Sequence, residues 1–199
     1  MIVKRRLAAP LTAVLLCAAA LGVRAQPMPG GLQTKDYKIE TAETKYNLDS
    51  GVFTMPRKVR FYRPGTDGTA DRAQGNATAG TATLSGHVEI HDSGNAPEVS
   101  RDKAYRGSGP ATIWCDQLDV NSKAKTYAAQ GNVRFSQGNK SGSAQRALLD
   151  RDRGTLHLEG NVHLSDNGAT LSADVVDYNL NTKDVEFRGA PAVMTQPKK

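Results

Sequence analysis

The chain has 199 residues, 38% of them apolar but only 6% aromatic, with 19 Gly and 9 Pro, enough chain for one domain but few large side chains to fill its core. Its formal net charge of +6 suggests a nucleic-acid partner, yet Lys4, Arg5, Arg6 and Arg24 fall in an acid-free N-terminal stretch, and without them 22 Lys+Arg stand against 20 Asp+Glu. The basicity belongs to the N-terminus, and composition gives no support to a nucleic-acid-binding protein.

In chain order, residues 1–25 read as an export signal. The basic cluster Lys4-Arg5-Arg6 precedes an apolar run from Leu7 to Val23, and Val23-Arg24-Ala25 then places small residues for cleavage after Ala25. The run is close to the ~17-residue lower limit for a spanning helix, so a retained anchor is the alternative. Leu16 is too large to precede a lipidated Cys17. Loss of Cys17 with the signal leaves Cys115 alone, and no intramolecular disulfide can form. No later apolar run approaches spanning length, so the remainder is expected to be soluble and exported. Residues 26–35, rich in Pro, Met and Gly, read as a flexible leader, 36–196 as a single domain, and 197–199 as a tail.

From Asp36 onward apolar residues alternate in short runs broken by Gly, Asn, Asp and Ser, the pattern of strands and turns. The runs repeat. Ser85-Gly86-His87-Val88, Gln130-Gly131-Asn132-Val133 and Glu159-Gly160-Asn161-Val162 share a core, and Arg188-Gly189-Ala190-Pro191 follows the same layout. Counted from each Gly, positions −4, −2, +2 and +4 hold Ala82, Leu84, Val88 and Ile90; Tyr127, Ala129, Val133 and Phe135; Leu156, Leu158, Val162 and Leu164; and Val185, Phe187, Pro191 and Val193. A further copy centres on Arg57, with Phe53, Met55, Val59 and Phe61 around it. The centres are spaced 29, 45, 29 and 29 residues apart, and the excess is an insertion over about 91–109.

Parity within each repeat predicts its shape. Ile113 and Cys115, or Leu171 and Ala173, lie on odd numbers, while Leu118 and Val120, or Val176 and Tyr178, lie on even ones. The apolar face therefore switches between offsets −16 and −13, which predicts a bulge or corner. Turns follow at 121–123, 150–154 and 179–183. A bent strand, a turn and a return strand through a Gly cannot bury one apolar face alone, so copies must stack into two facing sheets. The first rung, Ile39 to Phe61, and the last, Val185 to Val193, are then open edges.

Catalytic and metal chemistry find little support. His87, His91, His157 and His163 sit at odd offsets and point outward, and His157 and His163 are separated by roughly 20 Å along one strand. Cys115 occupies the small apolar slot filled by Ala144 and Ala173 in sister repeats. Asp116 and Asp174 recur in register but Gln145 replaces them between, which suits a solvated or backbone-capping role. Trp114 is expected outward, near the basic Arg101, Lys103 and Arg106 of the insertion. No catalytic residue, metal or cofactor is called for. A polysaccharide-binding protein would need rows of exposed aromatic residues, which are lacking.

The module Ala173-Asp174-Val175-Val176-Asp177-Tyr178, with a turn and the Gly-Asn-Val of Leu158-Glu159-Gly160-Asn161-Val162 one rung earlier, resembles the OstA-like repeat of the lipopolysaccharide-transport family, most nearly its soluble LptA-type members and next its anchored LptC-type ones. The resemblance implies an all-β jellyroll of stacked repeats with a V-shaped cross-section and open ends, at work in the periplasm as part of a bridge carrying lipopolysaccharide to the outer membrane. Periodicity alone leaves the interior either an ordinary sandwich core or a trough for acyl chains, and the resemblance favours the trough. Its walls are then Leu84, Val88, Ile90, Tyr127, Val133, Phe135, Leu156, Leu158, Val162, Leu164, Val185 and Phe187, its cargo the lipid A acyl chains. Val185, Glu186, Phe187 and Arg188 become a docking edge for other Lpt-type jellyrolls or for a second copy head to tail. A structural envelope scaffold without lipid transfer is the competing class.

Overall fold

A computed structural model of the chain describes residues 26–28, 31–33, 38–93, 109–189 and 192–196. The export signal, most of the insertion with its three basic residues, Pro191 and the tail lie outside the described residues. Sixteen antiparallel strands and no helix make up the described part: β1 (Gln26–Met28), β2 (Gly31–Gln33), β3 (Lys38–Thr41), β4 (Lys45–Tyr46), β5 (Val52–Met55), β6 (Val59–Arg63), β7 (Thr66–Ala70), β8 (Arg72–Asn76), β9 (Thr81–Asp92), β10 (Ala111–Asn121), β11 (Thr126–Gln137), β12 (Lys140–Asp150), β13 (Thr155–Asp166), β14 (Ala169–Asn179), β15 (Val185–Arg188) and β16 (Val193–Thr195). The expected all-β stack is therefore present.

The six long strands, β9 to β14, pair in sequence order, and each meets its neighbour with a register shift near its middle. The shifts fall between Trp114 and Gln117, Gln130 and Val133, Ser143 and Arg146, and Glu159 and Val162. They lie on one line across the sheet and fold it into two facing halves. Face A carries β4, β5, β8 and β15; face B carries β1, β2, β3, β6, β7 and β16. The parity switch read from the sequence is this line.

Backbone conformation explains why the bend sits there. Gly86, Gly131 and Gly160 have φ of 76°, 72° and 81°, and His87, Asn132 and Asn161 after them have φ of 44°, 48° and 48°. Gly adopts the left-handed region without strain, and Asn and His tolerate it better than most residues. Asp71, Asp116 and Gln145 lie against these glycines so closely that a Cβ there would strike the acidic or amide side chain. Asn132 Nδ2 donates to Asp116 Oδ2 at 2.8 Å, His87 Nδ1 to Asp71 Oδ2 at 2.7 Å, and Asp71 N to Gly86 O at 2.8 Å. The recurring acids therefore brace the bend from outside, and Asp71 also raises the His87 pKa above the ordinary value by hydrogen bonding and charge.

Turn chemistry is as expected from the sequence. Asn121 Oδ1 accepts from Ala124 N at 2.9 Å, Asp150 Oδ1 from Arg153 N at 2.9 Å, and Asn179 Oδ1 from Asn181 N and Thr182 N at 2.9 and 3.0 Å. Each side chain thereby satisfies turn donors that no strand partner reaches.

Several expectations need correction. The stretch expected as a flexible leader contains the hairpin β1–β2, and β2 pairs with β3; Ile39 is therefore paired on both sides, with Leu32 and Phe61, and is not an edge. The N-terminal edges are instead β1 on face B and β4 on face A. Around Arg57 the return strand is broken into β5 and β6, with Arg57 exposed between them. Without a Gly to take positive φ, the strand ends rather than bulges. Strand β9 runs through His91 to Asp92, so the insertion leaves the sheet later than residue 91. Finally, Val193 does not face inward: Met194 pairs with Leu171 and Val193 with outward Ser172, so Val193 is exposed. One extra residue after Gly189 shifts the parity of β16.

Gly160→Val forces a β-branched side chain into positive φ against Gln145 and is expected to cost more than about 2 kcal/mol, whereas Asn161→Gly is expected to change stability by no more than about 1 kcal/mol. Urea-unfolding midpoints of the two variants check the bend.

Candidate functional site

The inward residues of both faces meet in one interior. Val88, Ile90, Tyr127, Val133, Phe135, Leu156, Leu158 and Val162 are buried and join a single cluster that also holds Leu118, Leu149, Val176 and Tyr178. Leu84, Leu164, Val185 and Phe187 pack on that cluster but are half-buried. All twelve residues expected to line the interior thus face it. Among these twelve, the half-buried Leu164, Val185 and Phe187 lie towards the C-terminal end. A second, smaller cluster of Phe53, Met55, Val59 and Ala73 fills the N-terminal end.

At the C-terminal end the interior opens into a cavity of about 40 Å³ lined by Leu158, Leu164, Leu171, Tyr178, Val185 and Met194, among others. Tyr178 is buried there, its hydroxyl has no hydrogen-bond partner among the described residues, and desolvation pushes its pKa up to about 12.

Three of the four phenylalanines sit directly opposite glycines, an arrangement that sequence periodicity did not disclose. Phe53 pairs with Gly75, Phe61 with Gly68 and Phe135 with Gly142. A Cβ at any of the three glycines would collide with the facing ring. Each ring therefore lies flat over a glycine, covering backbone that would otherwise be bare and leaving the middle of the interior narrow. The lack of a side chain at Gly75 is explained by the Phe53 ring beside it.

A second feature lies beyond the last apolar row of face B. Thr66, Asp92, Gln137, Lys140 and Asp166 continue the inward parity of Gly68, Ile90, Phe135, Gly142 and Leu164 by two residues, and registration aligns them across the sheet. Thr66, Asp92 and Gln137 are buried, and Lys140 Nζ lies 3.8 Å from an Asp166 carboxylate oxygen. The sequence carried the signal at offset +6 from each Gly, where Asp92, Gln137 and Asp166 recur. The corresponding lip of face A, at Val120, Tyr127, Leu149 and Leu156, is apolar.

Outside the apolar interior, the histidines point outward as read. His157 Nδ1 lies 2.6 Å from Asp177 Oδ1, and Arg188 donates to Asp177 Oδ2 at 2.5 Å, which ties edge strand β15 to its neighbour. His163 lies 2.9 Å from Ser172 Oγ. Trp114 is half-buried on the outer surface, its Nε1 donating to Glu89 Oε1 at 3.0 Å with the Arg134 guanidinium 5.8 Å from the ring centroid. Strand β15 pairs with β14 only, so Val185 to Arg188 form the C-terminal edge of face A, and β16 that of face B.

Cys115 is buried, and desolvation raises its thiol to about 12. It sits between the sheets as the expected small apolar residue. A thiol reagent at pH 8 is expected to label the native chain at least ~100-fold more slowly than the urea-unfolded chain, because the thiolate is scarce and access is closed. The sign of the pH effect follows: the contribution is intact below pH 9 and is lost as the pH rises from about 9 towards 12, where only the unfolded thiol ionises.

Residues 108–184 match the family model described as LptA/(LptD N-terminal domain) LPS transport protein. The LPS-assembly protein LptD of Shewanella frigidimarina (strain NCIMB 400) is 33% identical over 101 residues, which is 48% of this chain and 13% of that protein. The chain thus spans a small part of that relative. Among solved structures, LptH of Pseudomonas aeruginosa, titled the LptA homologous periplasmic component of the conserved lipopolysaccharide transport device, is 14% identical, with 67% of this chain and 89% of that chain covered at a TM-score of 0.47.

Proposed function

We propose that this chain, whose residues 108–184 match the model of the LptA/(LptD N-terminal domain) LPS transport proteins, is a periplasmic lipopolysaccharide-binding bridge protein that holds acyl chains between its two faces and passes them to the next jellyroll. The observation that carries the reading is the single apolar interior running from rung to rung and opening at the C-terminal edge. Burial of an acyl chain contributes about 0.8 kcal/mol per methylene, so eight or so methylenes exceed the cost of parting a few side chains. The faces join along the bend. Chains entering at the open end part them there, and the half-buried Leu164, Val185 and Phe187 are the first residues met.

Strand addition at Val185 to Arg188 would extend the trough into another Lpt-type jellyroll or a second copy of this chain. Phe187 and Val185 face inward on that edge, so the added strand brings its own apolar face to the cavity. Export with cleavage after Ala25 would place the mature chain in the compartment where such a bridge acts.

Photoreactive residues at Leu164 and Phe187 are expected to capture lipopolysaccharide, and ones at the outward neighbours His163 and Glu186 to capture little; equal capture from both sets overturns the trough. Val185→Pro removes a donor from the open side of β15 and adds a ring clash, whereas Glu186 turns its N–H to Asp177 on β14. Sedimentation should show association with itself or with a partner jellyroll falling by at least ~10-fold while far-ultraviolet circular dichroism is unchanged, and unaltered association sinks the docking edge.

A further inference from the structure

We infer that the inward polar line along the lip of face B binds the amide N–H and free hydroxyl groups found where acyl chains meet a sugar, so that an amphiphile lies in the trough with its head on face B. The inference rests on the proposed lipid-binding function and adds which lip reads the head of the lipid.

Thr66 and Gln137 are each 4% exposed, and Thr66 Oγ1 and Gln137 Oε1 have no hydrogen-bond partner among the described residues. The Gln137 side chain is held by its Nε2 donating to Gly109 O at 3.3 Å, which leaves Oε1 as an acceptor. A buried acceptor without a donor costs about 1–3 kcal/mol, so the fold carries a penalty that a ligand bearing N–H or O–H groups removes. Thr66 registers with Asp92, Asp92 with Ala111 and Ala111 with Gln137, three strand spacings, or about 14 Å, measured along the trough rather than across it. The line continues through Lys140 and Asp166. A head group moving along the trough therefore keeps polar neighbours from rung to rung.

Charge selects the chemistry. Among the described side chains of the line from Thr66 to Asp166, Lys140 is the cation, and Asp166 already faces it; Asp92 adds a carboxylate. Over that stretch the described side chains suit neutral donors, and Arg63 continues the register beyond Thr66 on β6. The opposite lip is apolar, so the two lips discriminate head from chain and fix one orientation.

The test uses the full chain and two fluorescent probes that share one polyene acyl group: the N-acyl glucosamine and the methyl ester. The parent is expected to prefer the amide-linked probe, and Thr66→Val and Gln137→Leu each to reduce that preference about 3- to 10-fold, with ester affinity and melting temperature unchanged or higher. An unchanged preference overturns the inference, as does equal weakening of both probes, which would make the line structural. If the parent binds both probes equally, the trough stands and the polar line falls. If it binds neither, the trough reading fails and the inference with it.

Discussion

The bend line is the constraint on which the rest of the molecule depends. A flat antiparallel sheet of this width would have one face in water, and a chain with 6% aromatic residues has little with which to cover it. Two consecutive residues at positive φ in each return strand, Gly then His or Asn, turn every long strand through the same corner and let the sheet cover itself. The side chains at 71, 116 and 145 occupy the space left by the missing Cβ. Backbone conformation, side-chain volume and hydrogen bonding agree at each copy, which is why the corner recurs on one line and does not wander between rungs. Where the Gly is lacking, at Arg57, the strand is cut in two and the first rung is assembled from short pieces.

Interior width follows from the bend and from the pairing of rings with glycines. Ala70, Ala144, Ala147 and Ala173 are small and buried, and Phe53, Phe61 and Phe135 lie flat over Gly75, Gly68 and Gly142 rather than projecting across the gap. The faces therefore approach closely over the central rungs, where Ile113, Tyr127, Leu149 and Leu158 are fully buried between them.

Much of this was legible in the sequence, because period and parity are local signals. Spacing located the rungs, alternation named the inward residues from Phe53 to Phe187, and the odd-to-even switch placed the corner. What escaped depends on pairing between distant strands. That Phe53 covers Gly75 requires knowing that residues 22 apart stand opposite. The parity slip that sets Met194 instead of Val193 opposite inward Leu171 arises from one extra residue, invisible until β16 is set against β14. The hairpin β1–β2 was hidden by Pro, Met and Gly, whose weak strand propensity is outweighed by the open edge of β3 that it pairs with. The polar line was within reach at offset +6 but lay outside the apolar window used to define the repeat.

The two C-terminal edges set what a proposed joint between jellyrolls can achieve. Strand β15 has four residues, two of which turn N–H and C=O away from β14, so an added strand gains up to four hydrogen bonds at about 1 kcal/mol each. Leu164, Val185 and Phe187 are already half-buried; completing their burial contributes about half of the ~1.5–3 kcal/mol expected for each full side chain. The two contributions are similar and together reach some 6–8 kcal/mol, within the ~4–15 kcal/mol cost of association. Neither suffices alone. Hydrogen bonds fix the register, and apolar contact at the open cavity forms only in that register, so a joint that holds is also one that joins the interiors. In the proposed bridge, an acyl chain lying across the joint would add burial to both sides, making the cargo itself part of the adhesive and coupling assembly to loading.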